Sequence, residues 1–410
     1  MKTNKFPFIL LAIILLLASH SCRDNFNDDD TEPELKYLVR YELERSLLPV
    51  MIRTIYDLYA DEYPQLQAVS DKVDHGIRIY RITYRTTFNG EPVIASGMVS
   101  APLGEGIFPL LSYQNGTNTL HSDAPSVNID RDLYLMLQSV ASTGFIVAMP
   151  DYLGFGETDD MFHPYLHKNS TIPVVIDMLR AVEELGKLQG FETNDDLYLT
   201  GYSLGGWATL QVQKEIEHNF SNEFNLIASA PGAGPYNLNL VSEYILSQPT
   251  YPMPYFLGYV FDSFTKLNEF DTPLEAVFNA PYNSQIPGLY NGSLSGEEIN
   301  EQLSTSIPEL FQDNFLVNRT TDPLFTPIFQ ALDNNSVEAW PVSTPTRLIH
   351  SADDELVPLE ISDAMYQDFI NSGTDNNMLE LITIAGYSHT EGIIPAGLIS
   401  LLWFLELKEN

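Results

Sequence analysis

The feature that most constrains this chain is a change of rhythm near residue 133, after which helix and strand patterns alternate. Leu133 to Ser142 reads as a helix stopped by Gly144, and Phe145 to Met149 as a buried strand ending at Pro150-Asp151. Ile172 to Leu188 carries Ile172, Val175, Ile176, Leu179 and Val182 on one helical stripe, with Gly190 as its stop. Leu197 to Thr200 is a strand, Leu204 to Glu217 a helix, and Asn225 to Ala230 a further strand. Such alternation predicts the α/β class, a mainly parallel sheet with helices on both faces.

Upstream, Glu42 to Tyr59 reads as an amphipathic helix, with Leu47, Leu48, Met51, Ile52, Ile55 and Leu58 near one face. Ile77 to Thr87 and Val93 to Val99 flank Asn89-Gly90 and read as a hairpin, and Ile107 to Tyr113 is a strand running into Gln114-Asn115-Gly116-Thr117. From Gly232 to about Trp340 the rhythm stops; Pro, Tyr, Phe and Asn dominate, with short helical stretches and no clear strand. The alternation resumes with strand Thr346 to His350, helix Leu359 to Phe369, strand Leu379 to Ile384 and helix Ile393 to Leu407. A sheet that pauses and then continues predicts one core in two parts, 42–231 and 341–410, with a largely helical cap inserted at 232–340.

The N-terminus reads as an export signal. Lys2 and Lys5 precede the uncharged run Phe6 to Ala18, too short to span a bilayer comfortably but suited to the apolar part of a signal peptide. Cys22, the only cysteine in the chain, follows in Ser19-His20-Ser21-Cys22. The arrangement resembles a bacterial lipoprotein signal, although Ser19 stands where that pattern prefers Leu. The resemblance implies a signal at 1–22, lipidation of Cys22, and a lipoprotein of the cell envelope, at the outer membrane or cell surface; ordinary signal cleavage with a leftover cysteine, giving a periplasmic or secreted protein, is the alternative. The polar, acidic stretch that follows predicts a flexible tether over 23–41. A single cysteine excludes intrachain disulfides and a Cys-ligated metal site. With 20 Lys+Arg against 55 Asp+Glu, a net charge of -35 repels phosphate backbones, so no nucleic-acid partner is expected.

Gly201-Tyr202-Ser203-Leu204-Gly205 fits G-x-S-x-G. Alone the pentamer is a weak signal, but here it follows an apolar strand and opens a helix carrying Leu204, Ala208, Val212 and Ile216 on one face. A serine in so sharp a turn adopts strained dihedrals and exposes its hydroxyl, and side chains at Gly201 or Gly205 would clash where strand and helix converge. In this setting the pentamer resembles the nucleophile elbow of the α/β hydrolases. Gly386-Tyr387-Ser388 is a partial decoy, with Thr390 in place of the second glycine.

A serine hydroxyl needs a neighbouring base to take its proton. The resemblance implies the chain order Ser, Asp or Glu, His. Of the histidines that follow Ser203, only His389 lies beyond the last strand; His350, at a strand end, reads as structural. The stretch from His350 to Pro358 (HSADDELVP) resembles the H-G-x-x-D-x-x-V-P segment of these hydrolases, with Ser351 for the glycine. That register implies Asp354 as the acid and Asp353 as a solvated neighbour. For the oxyanion, the amide of Leu204 is the first expected donor and that of Thr117, with Gly116 as the fallback, the second. Many relatives carry His-Gly there, where this chain has Asn115-Gly116.

Over about residues 75 to 405 the chain resembles the bacterial carboxylesterase and lipase branch of the α/β hydrolases, most closely those related to secretory lipases. The segments that carry this are Tyr113 to Thr117, Pro150-Asp151-Tyr152-Leu153-Gly154-Phe155-Gly156, the Ser203 elbow and Gly234-Pro235-Tyr236-Asn237-Leu238. The resemblance implies hydrolysis of small-molecule or lipid-like carboxylic esters through an acyl-enzyme, and a cap between the sixth and seventh main strands. No metal and no organic cofactor is expected; His163 and His167 are four apart, but Pro164 between them favours loop histidines. Tyr251, Tyr255, Phe256, Tyr259, Phe261 and Phe264 either line an acyl pocket or form the core of the cap. A prolyl-oligopeptidase-like peptidase, for which the chain has no room for an N-terminal propeller, and an acyltransferase share the same triad. A binding protein on an inactive hydrolase fold is the remaining alternative.

Overall fold

A computed structural model describes residues 35–409. Its strands are β1 (Leu38–Leu47), β2 (Ile77–Phe88), β3 (Glu91–Pro102), β4 (Ile107–Gln114), β5 (Ile146–Pro150), β6 (Glu192–Tyr202), β7 (Asn225–Gly232), β8 (Thr346–Ser351) and β9 (Leu379–Ile384). They form one sheet in the order β1-β2-β3-β5-β4-β6-β7-β8-β9. From β5 through β4, β6, β7 and β8 to β9 every pairing is parallel, while β1, β2 and β3 join antiparallel at the other edge. This is the α/β-hydrolase architecture that the alternation and the elbow motif imply.

Local chemistry explains most of the boundaries. Asn89 and Gly90 both take positive φ, 51° and 82°, which is what the two-residue turn between β2 and β3 requires. Helix Lys168–Gln189 ends at Gly190, whose φ of 76° is the left-handed cap that glycine adopts without steric cost. Val174, Val175, Met178, Leu179, Val182 and Leu185 of that helix are buried, facing one side of the sheet together with helix Leu204–Glu215. Helices Pro49–Tyr59, Asp132–Ser139 and Ile393–Glu409 pack on the opposite side.

Two expectations shift at the N-terminal edge. The segment read as a helix from Glu42 begins instead as strand β1, and the helix starts at Pro49, a residue suited to the first helical turn because its missing N–H needs no acceptor there. The stretch assigned to the tether therefore enters the sheet at Leu38. The Glu184 carboxylate secures this edge by accepting the amides of Lys36, Tyr37 and Leu38 at 2.8, 2.9 and 2.7 Å. The expected signal peptide, Cys22 and most of the tether lie outside the described residues.

Between β7 and β8 the chain runs through eight helices, from Leu238–Ser247 to Thr326–Asn335, and adds no strand to the sheet. Its only β pairings are the isolated bridges Thr250–Ser306 and Phe278–Phe311. Because β1 adds a strand at the start, the segment expected between the sixth and seventh strands lies between the seventh and eighth. Phe261, Phe278, Phe311, Phe315 and Phe325 bury against one another within it, with ring centroids 4.8 to 6.4 Å apart. Edge-on and stacked aromatic packing gives this segment a core of its own. Among the described residues no helix is long and apolar enough to cross a membrane.

Candidate active site

The turn from β6 into helix Leu204–Glu215 holds Ser203 at φ 59° and ψ -123°, a conformation that an L-residue adopts only under constraint. The constraint is visible in the packing. A Cβ on Gly205 would lie 1.9 Å from the carbonyl oxygen of Gln114, and one on Gly201 would lie 2.5 Å from that of Gly205. Gly206, which the pentamer does not include, is equally obligatory, since its Cβ would fall 2.2 Å from the carbonyl oxygen of Gly232. Ser203 donates its amide to that same Gly232 carbonyl at 2.9 Å. Glycine thus permits three backbones to converge under the serine.

Ser203, Asp354 and His389 come together although 186 residues separate the serine from the histidine. Ser203 Oγ lies 2.8 Å from His389 Nε2, and His389 Nδ1 lies 2.6 Å from Asp354 Oδ2. A carboxylate only accepts, so Nδ1 carries the imidazole proton and Nε2 is left to accept from the serine hydroxyl. Asp354 is buried, and its Oδ1 accepts the amides of Leu356 and Val357 at 3.0 and 2.8 Å. Burial alone would raise its pKa, but hydrogen bonds from His350 and His389, the charge of the latter, and the Val357 amide hold the carboxyl well below the usual range.

His350 is where the sequence reading falls short. It is buried, as a structural histidine would be, yet its Nε2 donates to Asp354 Oδ2 at 3.1 Å and to the Val357 carbonyl at 2.8 Å. Ser362 Oγ, 2.6 Å from Nδ1, completes the ring's partners and fixes its tautomer. Two imidazoles therefore share one carboxylate oxygen. The neighbours of Asp354 hold the histidine loop instead: Asp353 Oδ2 accepts the Gly386 amide at 2.6 Å, and Glu355 Oε2 accepts that of His389 at 3.0 Å.

The loop after β4 borders the serine. Gly116 and Thr117 line the same cavity as Ser203 and His389, and the Leu204 amide, first in its helix, has no acceptor within that helix. Asn115 is buried, its side chain accepting from Tyr134 Oη at 3.3 Å. Thr117 Oγ1 pairs with Tyr165 Oη at 3.0 Å. His163 and His167 do not face each other: His163 Nδ1 donates to the Leu153 carbonyl, while His167 pairs with Ser170 and Glu269.

Two cavities meet at Ser203 and His389. One, a narrow cavity of about 90 Å³, is lined by Leu238, Val241, Ile245, Tyr251, Phe256, Val260, Phe261 and Leu332, and by no charged residue. The other, about 390 Å³, carries Asn115, Asn118, Asp123, Arg131 and Glu297. The aromatic residues left open by the sequence divide between both roles. Tyr251, Phe256 and Phe261 line the apolar cavity, Tyr255 lines the polar one, and Tyr259 and Phe264 are buried packing. Asn237 caps helix Leu238–Ser247 by accepting the Leu240 amide at 3.0 Å, which sets that wall of the apolar cavity.

The family model for secretory lipases matches residues 119–404, more than half of the chain. Among solved structures, the rice cell wall degrading esterase LipA from Xanthomonas oryzae is 26% identical with a TM-score of 0.74, the match covering 91% of this chain and 97% of LipA. A Legionella pneumophila protein, 24% identical with a TM-score of 0.79, covers 91% and 98%, and shares the fold. Candida antarctica lipase A, 16% identical with a TM-score of 0.63, covers 89% and 81% and likewise shares the fold. No curated protein matches the sequence. The chain belongs to the secretory lipase family, has the α/β-hydrolase fold, and is a carboxylic ester hydrolase.

Proposed function

We propose that Ser203 is the nucleophile of this hydrolase, His389 its general base and acid, and Asp354 the carboxylate that orients the imidazole. The observation that supports this most is the unbroken relay from Ser203 Oγ to His389 Nε2 at 2.8 Å and from His389 Nδ1 to Asp354 Oδ2 at 2.6 Å. Ser203 Oγ attacks the ester carbonyl as His389 Nε2 takes its proton. The Asp354 carboxylate stabilises the imidazolium without taking the proton itself. Collapse of the tetrahedral intermediate expels the alcohol, protonated from Nε2, and leaves the acyl group on Ser203. Water then enters, loses a proton to the same Nε2, and releases the acid.

The oxyanion is held by the amide of Leu204 and by that of Thr117, with Gly116 as the alternative donor. Such donors, fixed before reaction in a site shielded from water, stabilise charge where it develops. His350 acts as a positioning residue: it contributes one of the donors that keep Asp354 ionised and immobile. The charge-free cavity suits an apolar acyl group, and the larger polar one suits the alcohol part and the entry of water. Segment 232–340 serves as a cap, since it supplies most of the walls of the apolar cavity. Family membership points to export, and the finer reading is a lipoprotein anchored through Cys22.

Hydrolysis of p-nitrophenyl esters from acetate to palmitate tests the mechanism. Wild type turns over a band of chain lengths, and Ser203→Ala lowers kcat/KM by about 10⁴-fold or more. Comparable turnover by the alanine variant would exclude Ser203 as the nucleophile.

A further inference from the structure

Three tyrosine hydroxyls converge on the loop that follows β4. Tyr152 Oη donates to the Asn115 carbonyl at 3.4 Å, Thr117 Oγ1 and Tyr165 Oη share a hydrogen bond at 3.0 Å, and Tyr259 Oη donates to the Asn118 carbonyl at 3.4 Å. All three tyrosines are buried, so each phenol has exchanged water for this loop. Gly116, the residue of the loop with most backbone freedom, lies between the first two contacts. The peptide it shares with Thr117 carries the amide read above as the second oxyanion donor, and the tyrosine contacts stand on both sides of it.

Tyr259 differs from the other two in origin, since it belongs to helix Tyr255–Leu267 of segment 232–340. Its ring stacks on that of Tyr165 with centroids 4.5 Å apart and 7° between planes, and Tyr290 stacks on its other face at 4.5 Å and 17°. Tyr290 Oη donates to the Tyr255 carbonyl at 2.7 Å, which ties the stack back to the same helix. One turn beyond Tyr259, the Ser263 hydroxyl donates to the Tyr165 carbonyl at 3.2 Å. The cap helix therefore grips Tyr165 at its ring and at its backbone, while the Tyr165 hydroxyl meets Thr117. The next residue, Leu166, sits at φ 54°, a conformation that a leucine adopts only where its surroundings impose it.

We propose that Tyr165 and Tyr259 are positioning residues for the second oxyanion donor, so that the cap helps to aim a catalytic amide as well as walling a pocket. Tyr165 fixes the Thr117 side chain, Tyr259 fixes the following carbonyl and the plane of the Tyr165 ring, and neither touches the reacting atoms. Backbone donors stabilise an oxyanion best when they are aimed before the charge develops, and a loop free to reorient loses that advantage. The proposal rests on the readings of Ser203 as nucleophile and of loop 115–117 as the source of the second donor.

The assay compares kcat and KM for p-nitrophenyl acetate and p-nitrophenyl octanoate, both below their solubility limits, with the inhibition constant of a short alkyl trifluoromethyl ketone. Ser203 Oγ adds to the ketone carbonyl, its proton passes to His389, and the alkoxide that forms takes the oxyanion position. Tyr165→Phe keeps the ring and its stacking and removes only the hydroxyl, while Thr117→Val removes the partner hydroxyl and keeps the amide. Each lowers kcat roughly tenfold, less than the loss of about 10²–10³ that follows outright removal of a donor. KM changes little, the fall is the same for both esters, and the inhibition constant rises by the factor that kcat/KM loses. The double variant is no slower than the slower single one, because the two hydroxyls serve one contact. Tyr259→Leu, which removes the stack, lowers kcat in the same length-independent way, and Tyr259→Phe serves if the leucine variant does not fold. Wild-type kcat in Tyr165→Phe or in a folded Tyr259 variant overturns the proposal. So does a loss confined to the octanoate, which would make Tyr165 a pocket wall alone, an additive loss in the double variant, or a ketone that binds each variant as it binds wild type. If Ser203→Ala turns over these esters like wild type, the nucleophile reading falls and the proposal with it; an inactive Ser203→Ala beside a fully active Tyr165→Phe sinks the proposal alone.

Discussion

Acidification should act on this fold through His163, and the size of the effect follows from its surroundings. The ring lies against Tyr152, Phe155, Tyr165 and Tyr259, with centroids 6.1, 5.0, 5.9 and 5.6 Å away. Its Nδ1 donates to the Leu153 carbonyl at 2.7 Å, and its buried Nε2 has no hydrogen-bond partner among the described residues. Ring faces attract a cation by about 1–2 kcal/mol, but a proton on Nε2 would find no acceptor, and an unsolvated charge costs several kcal/mol. Burial therefore wins over the bond to Leu153 and pushes the pKa down to about 4. An imidazole in the unfolded chain titrates near 6.5. In the interval between, the unfolded chain holds a proton that the native protein refuses. The stability is thus complete above about pH 6.5 and is lost as pH falls toward about 4, a change of about 3 kcal/mol at 1.36 kcal/mol per pH unit.

Asp262 works in the opposite direction. Burial, resisted by Lys266 at 2.7 Å, pushes its carboxyl up to about 6. Its contribution is present below the unfolded value of about 3.9 and is lost as pH rises through about 6. The wild-type curve alone hides either effect, so the measurement is a difference. Urea unfolding of wild type and His163→Phe is compared from about pH 7 to about pH 4. Relative to the variant, wild type should lose about 3 kcal/mol across that range. A difference that stays constant would refute the argument that burial keeps His163 neutral.

Two further variants test the site. His350→Phe removes a donor to an ionised carboxylate, an interaction worth about 1.5–3 kcal/mol, so kcat should fall roughly 10- to 100-fold with KM little changed. His350→Gln, which keeps an N–H, should recover part of it, and wild-type kcat in the phenylalanine variant would reduce His350 to packing. Gly205→Ala drives a methyl group into the Gln114 carbonyl at 1.9 Å. It should abolish soluble folded protein or lower the melting temperature by roughly 1 °C per kcal/mol lost, with esterase activity falling in step; an intact, active alanine variant would show that the elbow has room to relax.

What was legible in the sequence depended on how local its cause is. The parallel half of the sheet, the Asn89-Gly90 turn and the Ser203 elbow each follow from short-range periodicity or steric need, and the structure has them where the residues imply. Strand β1 does not behave so. Leu38–Leu47 mixes charged and apolar residues that suit either period, and what makes it a strand is pairing with β2 and the grip of Glu184, 146 to 148 residues away. Only Pro49, a helix-starting residue, marked the true boundary. His350 was visible as a residue but not as a partner of Asp354, because the loop must first fold back under the strand end.

The aromatic and aliphatic linings were the least legible, for a physical reason. Periodicity reports which face of a helix avoids water, and a cavity wall avoids water as a core does. In helix Tyr255–Leu267, Phe256, Val260 and Phe261 face the apolar cavity, while Tyr259 stacks between Tyr165 and Tyr290 with centroids 4.5 Å away on either side. Nothing in their spacing separates the two roles. Helix Ile393–Glu409 carries the same ambiguity further, being apolar nearly all round. A helix of that kind has apolar surroundings on more than one side. Ala396 is core packing, while Ile393, Ile394, Gly397, Leu398 and Phe404 border a small void beside helix Asp132–Ser139.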